Sequence, residues 1–359
     1  MRRSIVLAGI APLAVLQELT RSAEAAGLYR VWTIEGTGGD GIVRALAIGV
    51  ATSQIQIATG IAYTFPKLPL HTAGMVAEVQ DLLGGRFTLG LGAGTRGIRR
   101  RYGLEEDHPA PRFGEYVDLV RDALESDGAF EFSGRFYRSS APLLSFAGDP
   151  ARRRATRIYG SGVNKIMLET AAAHCDGVGL HPIAGIQPYF DEVALPALAH
   201  GYERSAKKRD EPLSIALWYI CSVHSDRAIA RQRAAEVLAF YFSTPSYGTP
   251  LQGSSWAGAA AQVRDAFRAA VPNIDWPALG ALIPDGMIDE FCLAGTPGEV
   301  AERLIPLERE LAERGVDELV LEPTSHSGVS ELIESCEGII RAAAAGNSRA
   351  PETTNGDRR

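Results

Sequence analysis

The chain has 359 residues, 46% hydrophobic and 22% charged, with a mean hydropathy of −0.02. That length suits two domains or one large α/β domain, and the composition excludes a disordered polymer. A net charge of −7 and a pI of 5.6 exclude the basic stripe that a nucleic acid or an anionic membrane would require.

The N-terminal Met1-Arg2-Arg3 and the apolar run after it have the outline of a twin-arginine export signal. Pro12 splits that run, however, and Leu16, Leu19, Ala23 and Ala26 then recur at helical spacing up to Gly27. The segment therefore reads as strand (4–10), loop and helix, the first βα unit of a mature domain. A second strand (30–35) leads through a glycine-rich turn into a helix (41–51). A third (55–62) leads through Pro66 and Pro69 into a helix (70–83) closed by Gly84-Gly85. The fourth strand (87–92) precedes a helix striped by Phe113, Val117, Val120 and Leu124.

Residues 131–137 read as a small hairpin before strand five (157–160) and its helix. Strand six (177–180), a helix from Pro188 and strand seven (213–223) follow. Residues 242–290 are punctuated by proline and glycine without a strand period and are expected to be an insertion. Thr296-Pro297-Gly298-Glu299 is a capping box opening a helix with Val300, Leu304, Leu307 and Leu311 on one face. Strand eight (317–322) and a last helix (329–341) complete the series.

Eight βα units in order predict a (β/α)8 TIM barrel, with a hairpin insertion before strand five and a larger one after strand seven. The rival, a doubly wound sheet plus a second domain, lacks a linker to separate its halves. Residues 1–345 are expected to be a single barrel domain and the polar tail 346–359 to be disordered. Cys175, Cys221, Cys292 and Cys336 lie more than 40 residues apart, without C-x-x-C pairs or metal spacing to histidine. A reducing, cytoplasmic setting and no metal are expected. No run approaches the ~18–20 apolar residues of a membrane helix.

Barrel enzymes place their chemistry at the C-terminal strand ends. Here those ends read Glu35-Gly36, Thr59-Gly60-Ile61-Ala62, Gly90-Leu91-Gly92-Ala93-Gly94-Thr95, Gly160-Ser161-Gly162 and His181-Pro182. A single glycine there serves a tight turn. Three glycine-bearing ends on neighbouring strands favour a flat, phosphate-bearing ligand. No Rossmann or P-loop spacing is present.

The strings Ala58-Thr59-Gly60-Ile61-Ala62 and Gly84-Gly85-Arg86-Phe87-Thr88-Leu89-Gly90-Leu91-Gly92-Ala93-Gly94 resemble the luciferase-like monooxygenase superfamily, in its coenzyme F420 (deazaflavin)-dependent oxidoreductase branch. Phe132-Ser133-Gly134-Arg135-Phe136-Tyr137, Cys175-Asp176-Gly177-Val178 and Pro284-Asp285-Gly286-Met287 extend the resemblance to roughly residues 4–340. It implies a barrel mouth holding deazaflavin, or alternatively FMN, with the insertion covering it. It also implies a third-strand bulge, often with a non-prolyl cis peptide, at Gly60, Ile61 and Ala62. Phosphate-contacting loops would lie at Gly92, Ala93, Gly94 and Thr95 and at Gly160, Ser161, Gly162 and Val163, with Lys165 nearby.

Many relatives follow the second strand's acidic residue with histidine, whereas this chain has Glu35-Gly36. Glu35 becomes the candidate proton donor, with bonding to loop N–H groups as its structural alternative. His181 is the histidine expected at the mouth, and Tyr241 and Tyr247 are candidate substrate-pocket residues. The resemblance implies hydride transfer between F420 and a small organic substrate in a homodimer built through helices two and three. FMN-dependent oxygenation and a non-catalytic flavin-binding barrel are the alternatives. A metal-dependent hydrolase lacks its His-x-His or clustered carboxylates.

Overall fold

Alternating strands and helices close on themselves in the computed structural model, which describes residues 1–348 apart from 8, 105–106, 206–210 and 327. The strands are β1 (Arg2–Leu7), β2 (Arg30–Thr33), β3 (Gln56–Thr59), β4 (Ala62–Tyr63), β5 (Phe87–Gly92), β6 (Gly128–Ser133) and β7 (Arg138–Leu144). They continue with β8 (Arg157–Gly162), β9 (Gly177–Leu180), β10 (Ser214–Val223), β11 (Cys292–Gly295) and β12 (Glu318–Pro323). Strands β1, β2, β3, β5, β8, β9, β10 and β12 pair in parallel in that order, and β12 returns to β1 through Arg2↔Glu318 to Ile5↔Leu321. The result is a closed (β/α)8 barrel.

Two cores follow from strand alternation. Between barrel and helices runs a continuous apolar layer that includes Ile5, Leu7, Ile57, Leu89, Leu91, Leu319 and Leu321. Inside the barrel, Val6, Trp32, Ala58, Tyr159, Ala216, Trp218 and Val320 pack together. Below them the Arg30 guanidinium donates to Glu318 at 2.7 Å, and the Trp32 indole N–H reaches the other oxygen of the same carboxylate at 2.7 Å.

Several boundaries depart from expectation. The predicted third strand is not continuous but splits into β3 and β4, at the bulge and non-prolyl cis peptide between Gly60 and Ile61 that the resemblance implied. Residues 131–137 cover only the end of β6 and the turn of an antiparallel hairpin that extends from Gly128 to Leu144. The stretch 242–290 is helical: the helix Arg227–Ser243 leads through two short turns to Ala257–Ala270, Trp276–Gly280 and Asp285–Phe291. It ends in an unforeseen ninth parallel strand, β11, which pairs with β10 from Ile220↔Cys292 to Val223↔Gly295. The last helix, Val329–Ser348, runs past residue 345, and the rest of the expected tail lies outside the described residues.

The four cysteines are buried and free. Among the described residues no helix is long and apolar enough to cross a membrane, and no cluster of three or more His, Cys, Asp and Glu could hold a metal.

Candidate active site at the barrel mouth

The three glycine-bearing ends meet because their strands are neighbours. Tyr63 registers with Gly92, Leu91 with Gly160, and Gly162 with Leu180, which sets His181 beside them. The bulge is tied on every side. The Gly60 N–H donates to the Thr33 carbonyl at 2.7 Å, and the Glu35 N–H to the Ile61 carbonyl at 3.2 Å. The Thr59 hydroxyl donates to the Gly90 carbonyl at 2.7 Å, and the Gly90 N–H reaches the Thr59 hydroxyl at 2.8 Å.

Most of these glycines answer to packing. A side chain at Gly90 would overlap the Thr59 carbonyl, one at Gly92 the Ile61 side chain, and one at Gly60 the Trp218 ring. At Gly162 it would come within 2.9 Å of Met167, and at Gly160 within 2.7 Å of Ala171. Gly94 has a φ of 68°, which favours glycine. Enlarging Gly60 or Gly92 would thus disturb the protein whether or not a ligand touches either residue. Gly179 differs: a side chain there would meet nothing nearer than the Gly160 carbonyl at 3.9 Å and the Trp218 indole nitrogen at 4.0 Å, so packing does not demand glycine at that position.

Of the polar candidates on the two loops, Thr95 caps the helix Arg96–Arg101 by accepting from the Ile98 N–H at 3.3 Å. Ala93 is buried, and next to it the Gly94 carbonyl accepts from Arg99 at 2.7 Å. The Val163 carbonyl accepts from the Tyr189 hydroxyl at 2.7 Å, while Ser161 is half-buried and Lys165 is exposed.

Glu35 is buried under the bulge with both oxygens engaged. Lys67 Nζ lies 2.6 and 2.8 Å from them, and the Gly41 N–H donates at 3.0 Å. Burial raises its pKa while Lys67 pulls the other way. This is the structural alternative made concrete: Glu35 pins the loop after β2 to the third strand end through Lys67, a residue the sequence reading passed over. Lys67 also reaches Asp40 at 3.2 Å, and Asp40 caps the following helix.

Across the mouth a second constellation forms. The His181 ring stacks on Tyr247 at a centroid distance of 4.4 Å and meets Tyr241 edge-on at 4.5 Å. Its Nδ1 accepts from the Ile183 N–H at 3.3 Å. Burial pushes its pKa down to about 3, so the imidazole is neutral. The Tyr241 hydroxyl donates to Glu322 Oε1, while Glu322 Oε2, sealed from solvent, has no partner. Burial pushes the Glu322 pKa up to about 7. Tyr247 and Tyr63 are each pushed up to about 12, chiefly by burial. His181, Tyr241 and Tyr247 therefore come together. Glu322 was missed, although it ends the predicted eighth strand and shares its face with Glu318 and Val320. Of the remaining histidines, His326 packs between Phe240 and Trp276, as a core residue would.

A barrel with glycine-lined strand ends and buried polar groups at its C-terminal mouth defines a cofactor-dependent enzyme scaffold. Residues 2–318 match the model of the luciferase-like monooxygenase family, and the chain belongs to that family of oxidoreductases. It is 28% identical over 307 residues to the 5,10-methylenetetrahydromethanopterin reductase of Archaeoglobus fulgidus, spanning 85% of this chain and 88% of the relative. The structure of the coenzyme F420-dependent tetrahydromethanopterin reductase from Methanopyrus kandleri superposes with a TM-score of 0.75 at 22% identity, covering 94% of this chain and 97% of that one. A type II Baeyer–Villiger monooxygenase component from Pseudomonas putida in complex with FMN superposes at 0.65 and 15% identity, covering 96% and 98%. At those identities the two superpositions speak for the fold alone.

Proposed function

We propose that this protein is an F420-dependent oxidoreductase that moves a hydride between the deazaflavin and a small organic substrate. The observation that carries the reading is the mouth itself. Glycine-bearing loops on adjoining strands share one rim, with Gly179 and Trp218 beside it, and His181, Tyr241 and Tyr247 cluster at the end of β9 next to that rim. When bound, the cofactor supplies the hydride chemistry. The chain supplies shape: Gly60, Ile61 and Ala62 back the ring, and the loops at Gly92–Thr95 and Gly160–Val163 hold the phosphate side. Glu35 acts through Lys67 as a positioning residue, and Tyr241, Tyr247 and neutral His181 border the substrate. Residues 1–345 act as one catalytic barrel, and the four free, buried cysteines accord with the cytoplasm.

The test is a fluorescence titration of the purified full chain with oxidised F420 and, separately, with FMN. Micromolar binding of F420 and none of FMN is the expected result. Membership of the luciferase-like monooxygenase family sustains a second reading, oxygenation with FMN, and the reverse outcome would establish it. Binding of neither would overturn both.

We further propose a homodimer through the second and third helices, Gly41–Gly49 and Pro69–Leu82. Val43, Val50, Leu68 and Leu82 on and beside them are 57–73% exposed. A groove of about 560 Å³ lined by Leu68, Leu70, Tyr137 and Phe146 adjoins the third helix. Light scattering should give twice the 38.4 kDa chain mass, and Leu82→Glu should halve it. A monomeric wild type refutes the dimer.

A further inference from the structure

We propose that Glu322, held by Tyr241, is the group that gives and takes the proton accompanying hydride transfer. The inference rests on the F420 reading and adds to it the acid that the sequence left open.

The two carboxylates at the mouth divide the work. Glu35 has both oxygens bound by Lys67 and the Gly41 N–H, so neither is available to a substrate. Glu322 is the last residue but one of β12, on the inward parity shared with Glu318 and Val320, at the C-terminal face where barrels act, and registers with Ile220 of β10. One of its oxygens accepts from Tyr241, and the other is buried without a partner.

A solvent-sealed carboxyl oxygen with no donor nearby is most stable carrying its own proton, because ionising it would strand a charge in a low dielectric. The titratable groups facing it are Tyr241 of the helix Arg227–Ser243, Tyr247 of the following turn and Cys292 of β11, all neutral at pH 7. Among the described residues no cation forms an ion pair with it. His181, wedged against both tyrosines and neutral, is a poor donor by comparison.

In the reducing direction the reduced deazaflavin, when bound, would supply a hydride to the substrate's C=O or C=N carbon and would itself be oxidised. The double bond's electron pair moves onto the heteroatom. That heteroatom would take the proton from Glu322 Oε2, completing an O–H or N–H bond and leaving a carboxylate that must regain a proton before the next turnover. In the reverse direction the carboxylate accepts the proton.

Two measurements test this. Difference infrared spectroscopy of the full chain without cofactor, titrated from acid to alkaline pH, should show a protonated carboxyl band that disappears near pH 7. The band should be absent in Glu322→Gln. In Tyr241→Phe its midpoint should move upward, because the hydrogen bond that favours the ionised form is gone. The second measurement follows oxidation of reduced F420 by a panel of small ketones and imines. Glu322→Gln should lower kcat by about 10²–10⁴-fold and abolish the decline in rate above neutrality, with the affinity for F420 within about twofold of wild type.

A Glu322 that is already ionised at pH 5 overturns the proposal. So does a wild-type pH profile that survives in Glu322→Gln, or a wild type inert toward every carbonyl and imine. Because the infrared titration needs no cofactor, it judges Glu322 even if F420 fails to bind, an outcome that would defeat the functional reading separately.

Discussion

Glu318→Ala should cost this protein about 3–5 kcal/mol of stability, measured as the shift in its guanidinium unfolding transition. Arg30 is 2% exposed and Glu318 wholly buried at the base of the barrel. The guanidinium lies over the rings of Tyr29, Trp32 and Tyr159 at 4.8, 5.1 and 5.4 Å, so its charge is packed against aromatic faces with Glu318 as its anionic partner. Removing the carboxylate strands that charge and also deprives the Trp32 indole N–H of its acceptor. The pair as a unit contributes far less than its rupture costs, since two desolvated ions offset most of their mutual attraction. Arg30→Met combined with Glu318→Leu should therefore recover most of the loss. A loss below about 1 kcal/mol in Glu318→Ala would show that the barrel base admits water and the pair is not desolvated.

The second large effect depends on pH. The Glu322 pKa rises from its ordinary 4.5 to about 7 in the folded chain because burial penalises the carboxylate. Below 4.5 the folded and unfolded states both hold the proton, and the group is neutral toward stability. As pH rises from there, the unfolded chain ionises while the folded one keeps its proton, so stability falls until the folded group also ionises near pH 7. At about 1.4 kcal/mol per pH unit, the accumulated loss is about 3 kcal/mol. Glu322→Gln has no such proton to lose. Urea melts of the two proteins across this range should show the variant gaining on wild type by about that amount, with the gap level above neutrality. A gap that stays constant from pH 4.5 to 8 would mean that Glu322 is ionised when folded.

How far the chain could be read depended on the range of the forces involved. The strand Phe87–Gly92 and the strand Gly177–Leu180 were predicted to the residue, and the capping box at Thr296 and Glu299 forms as expected, because each rests on neighbours within a few positions. β11 was missed because Cys292–Gly295 is four residues long, follows helices rich in proline and glycine, and is a strand only because β10 outruns β9 and offers a free edge. The break between β3 and β4 has no period to reveal it and was expected from the family resemblance alone; it exists where the Thr33, Gly90 and Glu35 backbones and the Thr59 hydroxyl meet around Gly60-Ile61.

The site divides in the same way. His181, Tyr241 and Tyr247 were each picked out by residue type and position, but their contact across some 60 residues is made by the helix Arg227–Ser243 lying over the mouth. Glu35 attracted attention as an acid next to a missing histidine, and only packing revealed that Lys67 occupies it.

By itself the sequence determined the barrel class and the run of glycines at the C-terminal strand ends, since alternation, turn residues and caps are written in local spacing. The tertiary structure alone decided that several of those glycines make room for neighbouring protein atoms, that Gly179 does not, and that Glu322 rather than Glu35 is the carboxyl with an unpaired oxygen. Periodicity records which way a side chain points from its own strand. Desolvation and pairing depend on what the rest of the chain brings against it.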